Sequence, residues 1–263
     1  MKKSILTLIA MTCCLVYTTP LWAWGQEGHR VIAQVAYAHL SKKARKQVDA
    51  ILGTNGMIYN ANWPDEIKSD TIYPQSHNWH FQDLDGGQSD STIVSYLTRY
   101  PEVGGRLFCV YDSLESVLRA DRHNRDALVF LIHLTGDRFC PVHMGHLEDL
   151  GGNKVRMAWF SRSENTNLHA VWDSKLIDSQ GYSFSEYARF LEDTYASRRR
   201  EIEAASWAEL TLRTYHLTSA IYDYQTSWDG NTWHYIYRWH QPMEYQLYCA
   251  GIRLAKLINS IYY

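Results

Sequence analysis

The segment His133-Leu-Thr-Gly-Asp-Arg-Phe-Cys-Pro-Val-His143 carries side chains that bind cations at spacings a helix would bring together. His133 and Asp137 are four residues apart, which on a helix places both side chains on one face with Cβ atoms about 5–6 Å apart. His143 follows Pro141, where the chain must leave the helix and can turn back toward the same point. A second His-x-x-x-Asp pair stands at His169 and Asp173. Either pair taken singly reads as a core histidine hydrogen-bonded to a carbonyl, or as a helix-surface ion pair. Two pairs in one chain, with a third histidine between them, point to a metal site.

These residues need elements to hold them. The apolar run Ala127, Leu128, Phe130, Leu131 and Ile132 predicts a buried helix from Asn124 to about Phe139, carrying the first pair. The second pair sits in Asn167-Leu-His-Ala-Val-Trp-Asp173, which begins another helix. Upstream, helices are expected from about Gly28 to Leu40, from Ser41 to about Leu52, and at 107–120. Pro64 suits a first helical turn, with Asp65 just behind it. Residues 85–105 read as loop around one short helix, and Val155–Phe160 as a short strand. Ser183-Phe-Ser-Glu186 and Ser206-Trp-Ala-Glu209 fit capping boxes, so a helix should start at each. Residues 225–242 read as an aromatic-rich loop, followed by a closing helix from Glu244 to Ile261. Helical periods dominate and no repeat or linker divides the chain, so the expectation is one mainly α domain over 24–263, a single-domain multi-helix bundle.

The first 23 residues stand apart. Lys2 and Lys3 precede an apolar run from Ile5 to Val16, and Leu21-Trp22-Ala23 makes an acceptable cleavage site. This reads as a secretory signal peptide cut after Ala23, giving a secreted or periplasmic protein without a stable membrane span. The run is shorter than the roughly 20 residues a spanning helix needs. Cys13 and Cys14 raise lipid attachment, but Thr12 sits badly for a lipoprotein signal. Cleavage removes two lysines and no acid, taking the formal charge from −2 to −4. An acidic chain has little Lys and Arg to spare for phosphates, so a phosphate-handling site here needs positive charge from bound metal. Cys109, Cys140 and Cys249 remain, an odd number with no C-x-x-C spacing, so neither a thiol zinc site nor a disulfide framework is indicated.

The candidate ligands, in order, are His29, Asp65, His80, His133, Asp137, His143, His169 and Asp173. Imidazole nitrogen and carboxylate oxygen are donors that zinc takes, and the set exceeds the need of one tetrahedral ion. Six motifs run in order: Trp24-Gly-x-x-Gly-His29, Trp63-x-Asp65-x-x-Lys68, His80-Phe-x-Asp83, His133-x-x-Gly-Asp137 with Pro141-x-His143, Gly151-Gly-Asn153, and Asn167-Leu-His-x-x-x-Asp173. Together they resemble the three-zinc, single-strand-specific nuclease family of fungi, plants and bacteria, which shares its fold type with zinc phospholipase C. The resemblance covers Trp24 to Asp173 by motif.

That resemblance implies one zinc on Asp65, His80, His133 and Asp137. A second would share Asp137 and take His29 with the amino nitrogen and carbonyl oxygen of Trp24. The third would take His143, His169 and Asp173. A free α-amine has a pKa of about 8, so a chelating N-terminus is chemically sensible. The resemblance further implies hydrolysis of single-stranded RNA and DNA to 5′-nucleotides, with 3′-nucleotidase activity, by a monomer. Asp65 would orient the attacking water and Lys68 would steady the charge on phosphorus. Phe81 would stack on an unpaired base, with Asp83 and Asn153 reading its edge. Cys140 stands where many relatives carry glutamine, which removes a polar partner near the cluster. His77 and His146 could mimic ligands, but spacing favours His80 and His143. Competing readings are a zinc phospholipase C-like phosphodiesterase and a non-catalytic zinc-binding protein.

Overall fold

The computed structural model describes residues 24–263. The signal peptide, its cleavage after Ala23, and Cys13 and Cys14 lie outside the described residues.

The chain runs through α1 (Gly25–Ala38), α2 (Lys42–Leu52), and the short turns α3 (Gly56–Tyr59) and α4 (Trp63–Glu66). It continues through α5 (Asp90–Arg99), α6 (Leu107–Ala120) and α7 (Arg125–Asp137) to a hairpin of β1 (Arg156–Trp159) and β2 (Ser161–Asn167). Next come α8 (Leu168–Ala170), a π turn (Val171–Lys175) and α9 (Leu176–Asp178), then α10 (Phe184–Tyr195), α11 (Arg199–Ala204), α12 (Trp207–Gln225) and α13 (Thr232–Ile261). The architecture is mainly α, as the periodicity requires.

Local chemistry sets most of the boundaries. The Ser41 hydroxyl accepts from Ala44 N at 3.1 Å to start α2, and Asn124 accepts from Ala127 N at 3.0 Å to start α7. Both capping boxes form: Ser183 with Glu186 opens α10, and Ser206 with Glu209 opens α12. Helix α7 is buried at every residue from Ala127 to Asp137, so it is the central helix of the bundle. Helix α1 lies against it and against α13, burying Val31, Ile32, Val35 and Ala36. One large apolar cluster joins Trp24, Ile32, Phe130, Trp172 and Leu247.

The structure departs from expectation in several places. Helix α1 begins three residues early, at Gly25, because Trp24 is wholly buried and its indole Nε1 donates to Gly136 O at 2.7 Å, pinning the start of α1 onto α7. Helix α7 ends at Asp137 rather than Phe139, and the turn tightens before Pro141. The expected strand has an antiparallel partner, β2, with Arg156 opposite Asn167.

The largest correction concerns 225–242, which is not a loop beyond Asn231. Helix α13 starts at Thr232 and passes through Pro242 without a break. Asn231 caps it by accepting from Trp233 N and His234 N at 3.0 and 3.3 Å. Tyr235, Trp239, Met243 and Leu247 recur every fourth residue and are all buried, so the aromatics form one helix stripe. An internal proline costs about 3 kcal/mol or more. A buried aromatic removes roughly 150–250 Å² from water at about 25 cal/mol/Å², several kcal/mol each, which outweighs that cost.

The Ser206→Ala variant loses the reciprocal cap of α12 and should be destabilised by about 1 kcal/mol. For a chain of this size that lowers Tm by roughly 2–4 °C in a thermal melt followed by circular dichroism. An unchanged melt would mean that the box does not hold the helix.

Candidate metal centre

Four stretches of chain converge on α7. Asn62 Nδ2 donates to Gln26 O at 3.2 Å, tying the α4 turn, and with it Asp65, to α1. Gln82 N donates to His143 O and Leu84 N to Gly145 O, both at 2.8 Å, so the segment after His80 lies alongside the segment after Pro141. The hairpin returns the chain to Asn167, whose side chain accepts from Ala170 N at 2.7 Å and caps the helical stretch bearing His169. The π turn that follows holds Asp173; such turns often mark functional positions.

The eight candidate side chains meet in one buried cluster. His29, His80, His133, His143, Asp137 and Asp173 are each at most 2% exposed, and Asp65 and His169 each 8%. His29 stacks on His133 with ring centroids 3.7 Å apart. That approach needs Gly136, since a Cβ there would stand 2.9 Å from His29 Nδ1. Three groups within the cluster have donor spacings able to hold a cation: His29, Asp65 and His133; His80, His133 and Asp137; and Cys140, His143 and Asp173.

Hydrogen bonding orients the rings. His133 Nδ1 lies 2.8 Å from Ala61 O, His143 Nδ1 2.7 Å from His80 O, and His169 Nδ1 2.8 Å from Gly151 O. A carbonyl only accepts, so each Nδ1 carries a proton and each ring turns its Nε2 inward, as a lone pair when the ring is neutral. Those Nε2 atoms face carboxylate oxygens: His133 Nε2 to Asp65 Oδ1 at 3.5 Å, His143 Nε2 to Asp173 Oδ1 at 3.3 Å, and His169 Nε2 to Asp173 Oδ2 at 3.2 Å. With the ring protonated each contact is an ion pair; with the ring neutral two acceptors face each other, an arrangement that a cation between them relieves. Zinc bond lengths of about 2.0–2.2 Å put nitrogen and oxygen ligands roughly 3.4 Å apart across a tetrahedral edge, which these separations match. His29 Nδ1 and Nε2, His80 Nε2, Asp65 Oδ2 and Asp137 Oδ1 are buried without hydrogen-bond partners. The residues present therefore fit zinc.

Charge balance points the same way. Burial holds the His29 and His80 rings well below the usual histidine range, which keeps them neutral donors. Burial pushes Asp137 up to about 7. Asp65 and Asp173 are as deeply buried, but His133 and Lys68 around the first, and His169 and His143 around the second, outweigh burial and hold both carboxyls low.

Lys68 Nζ lies 2.6 Å from Asp65 Oδ1 at the edge of the cluster. Phe81 is half-buried and belongs to neither apolar cluster, so it is not core filling. Asp83 is 5% exposed with Oδ1 unpartnered, and burial pushes it up to about 8. Gly151, at φ 63°, packs so closely that a Cβ there would stand 2.9 Å from Asp83 Oδ1 and 3.3 Å from His169 Nδ1. Asn153 Nδ2 donates to Leu150 O at 2.7 Å within the same loop. Asp83 thus borders the His169 end of the cluster, with Phe81 two residues before it in the chain. Trp24 N donates to Asp173 Oδ1 at 3.0 Å, which brings the start of α1 to that end as well.

His77 is exposed, and His146 stacks on Tyr222 at 3.8 Å, so neither joins the cluster. His216 and His234 pair with surface Asp90 and Asp229. The residue that sequence reasoning missed is Cys140. It is wholly buried, its thiol held far above the ordinary range by burial, and its S–H donates to Asp173 Oδ1 at 3.6 Å. A polar partner is therefore retained there, contrary to expectation. The available signal was its position between Asp137 and His143.

The S1/P1 Nuclease family profile matches residues 24–263. Endonuclease 3 of Arabidopsis thaliana is 27% identical over 91% of this chain and 89% of its own length. Nuclease S1 of Aspergillus oryzae is 27% identical over 78% of this chain and 73% of its own. Nuclease P1 of Penicillium citrinum is 28% identical over 70% and 71%. With the profile spanning every described residue, the chain belongs to the S1/P1 nuclease family.

Proposed function

We propose that this protein is a zinc-dependent endonuclease that hydrolyses phosphodiester bonds of single-stranded RNA and DNA to 5′-nucleotides, and that the same site removes 3′-phosphates from nucleotides. The observation that carries the reading is the convergence of imidazole nitrogens and carboxylate oxygens, their rings oriented by three backbone carbonyls, at spacings that suit a cation. Asp65, His80, His133 and Asp137 would hold one zinc. His29, Asp137 and the amine and carbonyl of Trp24 would hold a second, once cleavage after Ala23 frees that amine. His143, His169 and Asp173 would hold a third. Zinc ions so placed supply Lewis acidity and lower the pKa of a bound water, the chemistry a phosphodiester displacement needs.

The chain's own residues have separate tasks. Asp65 has one oxygen on Lys68 and the other buried without a partner, which suits it to orient a water. Lys68 would place a fixed positive charge beside the phosphoryl oxygens as negative charge builds on them. Phe81, outside the core, would offer a face to a base, and a paired base cannot present that face without leaving its stack. Asp83 and Asn153 would contact the base edge. All nine candidate ligands come from one chain, which supports a monomer. Secretion or export to a periplasm would follow from the leader over residues 1–23.

Dialysis against a chelator should abolish release of 5′-mononucleotides from single-stranded RNA and DNA, and added zinc should restore it. Cleavage of a phosphatidylcholine analogue but not of nucleic acid would instead identify a phospholipase C. Metal retention with no hydrolysis of any phosphodiester would identify a binding protein. Asp137→Asn should lose more than one zinc per chain by elemental analysis, because one carboxylate serves two ions; full retention would overturn that assignment. Phe81→Ala should raise KM for single strands roughly 10–100-fold with kcat less affected, in keeping with about 1–3 kcal/mol per stacked base. An unchanged KM would remove Phe81 from the substrate site.

A further inference from the structure

The metal-centre reading leaves one deeply buried group unused. Cys140 follows Asp137 by three residues and precedes His143 by three, on the turn joining α7 to Pro141. Its Sγ lies 3.6 Å from Asp173 Oδ1, while His143 Nε2 lies 3.3 Å from that same oxygen. The sulfur, the imidazole nitrogen and the carboxylate oxygen lie within 4.8 Å of one another, and all three residues are buried. Zinc bonds of about 2.3 Å to sulfur and about 2.1 Å to oxygen give a tetrahedral S···O edge of roughly 3.6 Å, against roughly 3.4 Å for N···O. Both observed separations agree with those edges.

An independent observation concerns the ring nitrogens at this end of the cluster. With their Nδ1 protons committed to His80 O and Gly151 O, His143 and His169 each direct Nε2 at an Asp173 oxygen. The sulfur lies within 4.8 Å of the His143 and Asp173 donors among those three.

We propose that Cys140 is a sulfur ligand of the metal position formed by His143, His169 and Asp173. This rests on the metal-centre reading given above. The position then has two nitrogens, one carboxylate and one sulfur, in place of a site completed by solvent. On binding, a metal–sulfur bond replaces the S–H bond and the proton leaves to solvent. A softer donor set shifts preference at this position toward thiophilic ions such as cadmium and cobalt, and away from manganese.

The test loads the metal-stripped protein with cobalt and records metal count and absorption together. The expected result is a sulfur-to-cobalt charge-transfer band in the near ultraviolet that is lost in Cys140→Ser and kept in the double variant Cys109→Ser/Cys249→Ala. Cadmium affinity at the weakest-binding position should fall roughly 10–100-fold in Cys140→Ser, the scale on which loss of a supporting group weakens a metal site. Cys140→Gln restores a hydrogen-bond donor to Asp173 but not the sulfur, so it should not bring the band back. Where Cys140→Ser fails to fold, the double variant decides: the band present supports the ligand, and the band absent overturns it. Cobalt bound without any cysteine-dependent band overturns the sulfur ligand and leaves the metal centre standing. A protein that binds no cobalt overturns the metal centre itself.

Discussion

Asp137 is a carboxylate at the end of the central helix with no exposed surface, one oxygen against imidazoles and the other without a hydrogen-bond partner. Stripping charged groups of water costs several kcal/mol each even after relaxation, and attraction offsets this only where the partners are well placed. Three carboxylates and five histidines share this enclosure, with Lys68 the nearest side-chain cation. Neutral imidazoles cannot balance the carboxylates, and protonated ones cannot bind metal. Cations in the centre resolve both problems at once, so metal loading and stability of the surrounding helices are coupled.

The bundle is arranged to keep that enclosure rigid. Trp24 is buried at the junction, with its indole on Gly136 O and its main-chain nitrogen on Asp173. It thereby ties the start of α1 to both His-x-x-x-Asp pairs. Gly136 lets the His29 ring pass close enough to stack on His133. The next charge along the chain, Arg138, is kept from the centre by a different device. Its guanidinium lies 3.9 Å from the Trp207 ring centroid and 4.5 Å from that of Tyr111, and Arg253 sits over Trp207 at 4.7 Å. Cation–π contact stabilises these buried charges without drawing on the carboxylates that metal needs.

The residues proposed to contact a base lie outside the helices. Phe81 and Asp83 lie on an extended segment pinned by main-chain bonds to Gly104, His143 and Gly145, and the Gly151-Gly-Asn153 loop closes on Asp83. The histidine–aspartate cluster is buried, whereas half-buried Phe81 lies on a segment between helices beside it. Chains sharing about 27% of residues can therefore keep one chemistry while their loops diverge. Cys140 lies inside the buried part, against Asp173.

Much of the helical frame was legible because its signals are local. The Ser41, Asn124, Ser183 and Ser206 caps bond backbone within three residues, and the apolar stretch around Phe130 must be buried whatever surrounds it. His133 with Asp137, and His169 with Asp173, share helix faces by spacing alone. Helix α13 misled because its first third is aromatic and contains Pro242; the stripe of Tyr235, Trp239 and Met243 is a helix face only against the rest of the core. The ordered motifs named a family, yet spacing could not bring His29, Asp65 and His80 to His133 from more than fifty residues away. Nor could it select Ala61 O, His80 O and Gly151 O as the acceptors that fix three imidazole tautomers. Donor types and helix faces belong to the one-dimensional chain, since they depend on side-chain chemistry and a 3.6-residue turn. Which lone pairs face inward, and that Cys140 faces Asp173, was decided only by tertiary packing, because those partners are backbone and side-chain atoms distant in sequence.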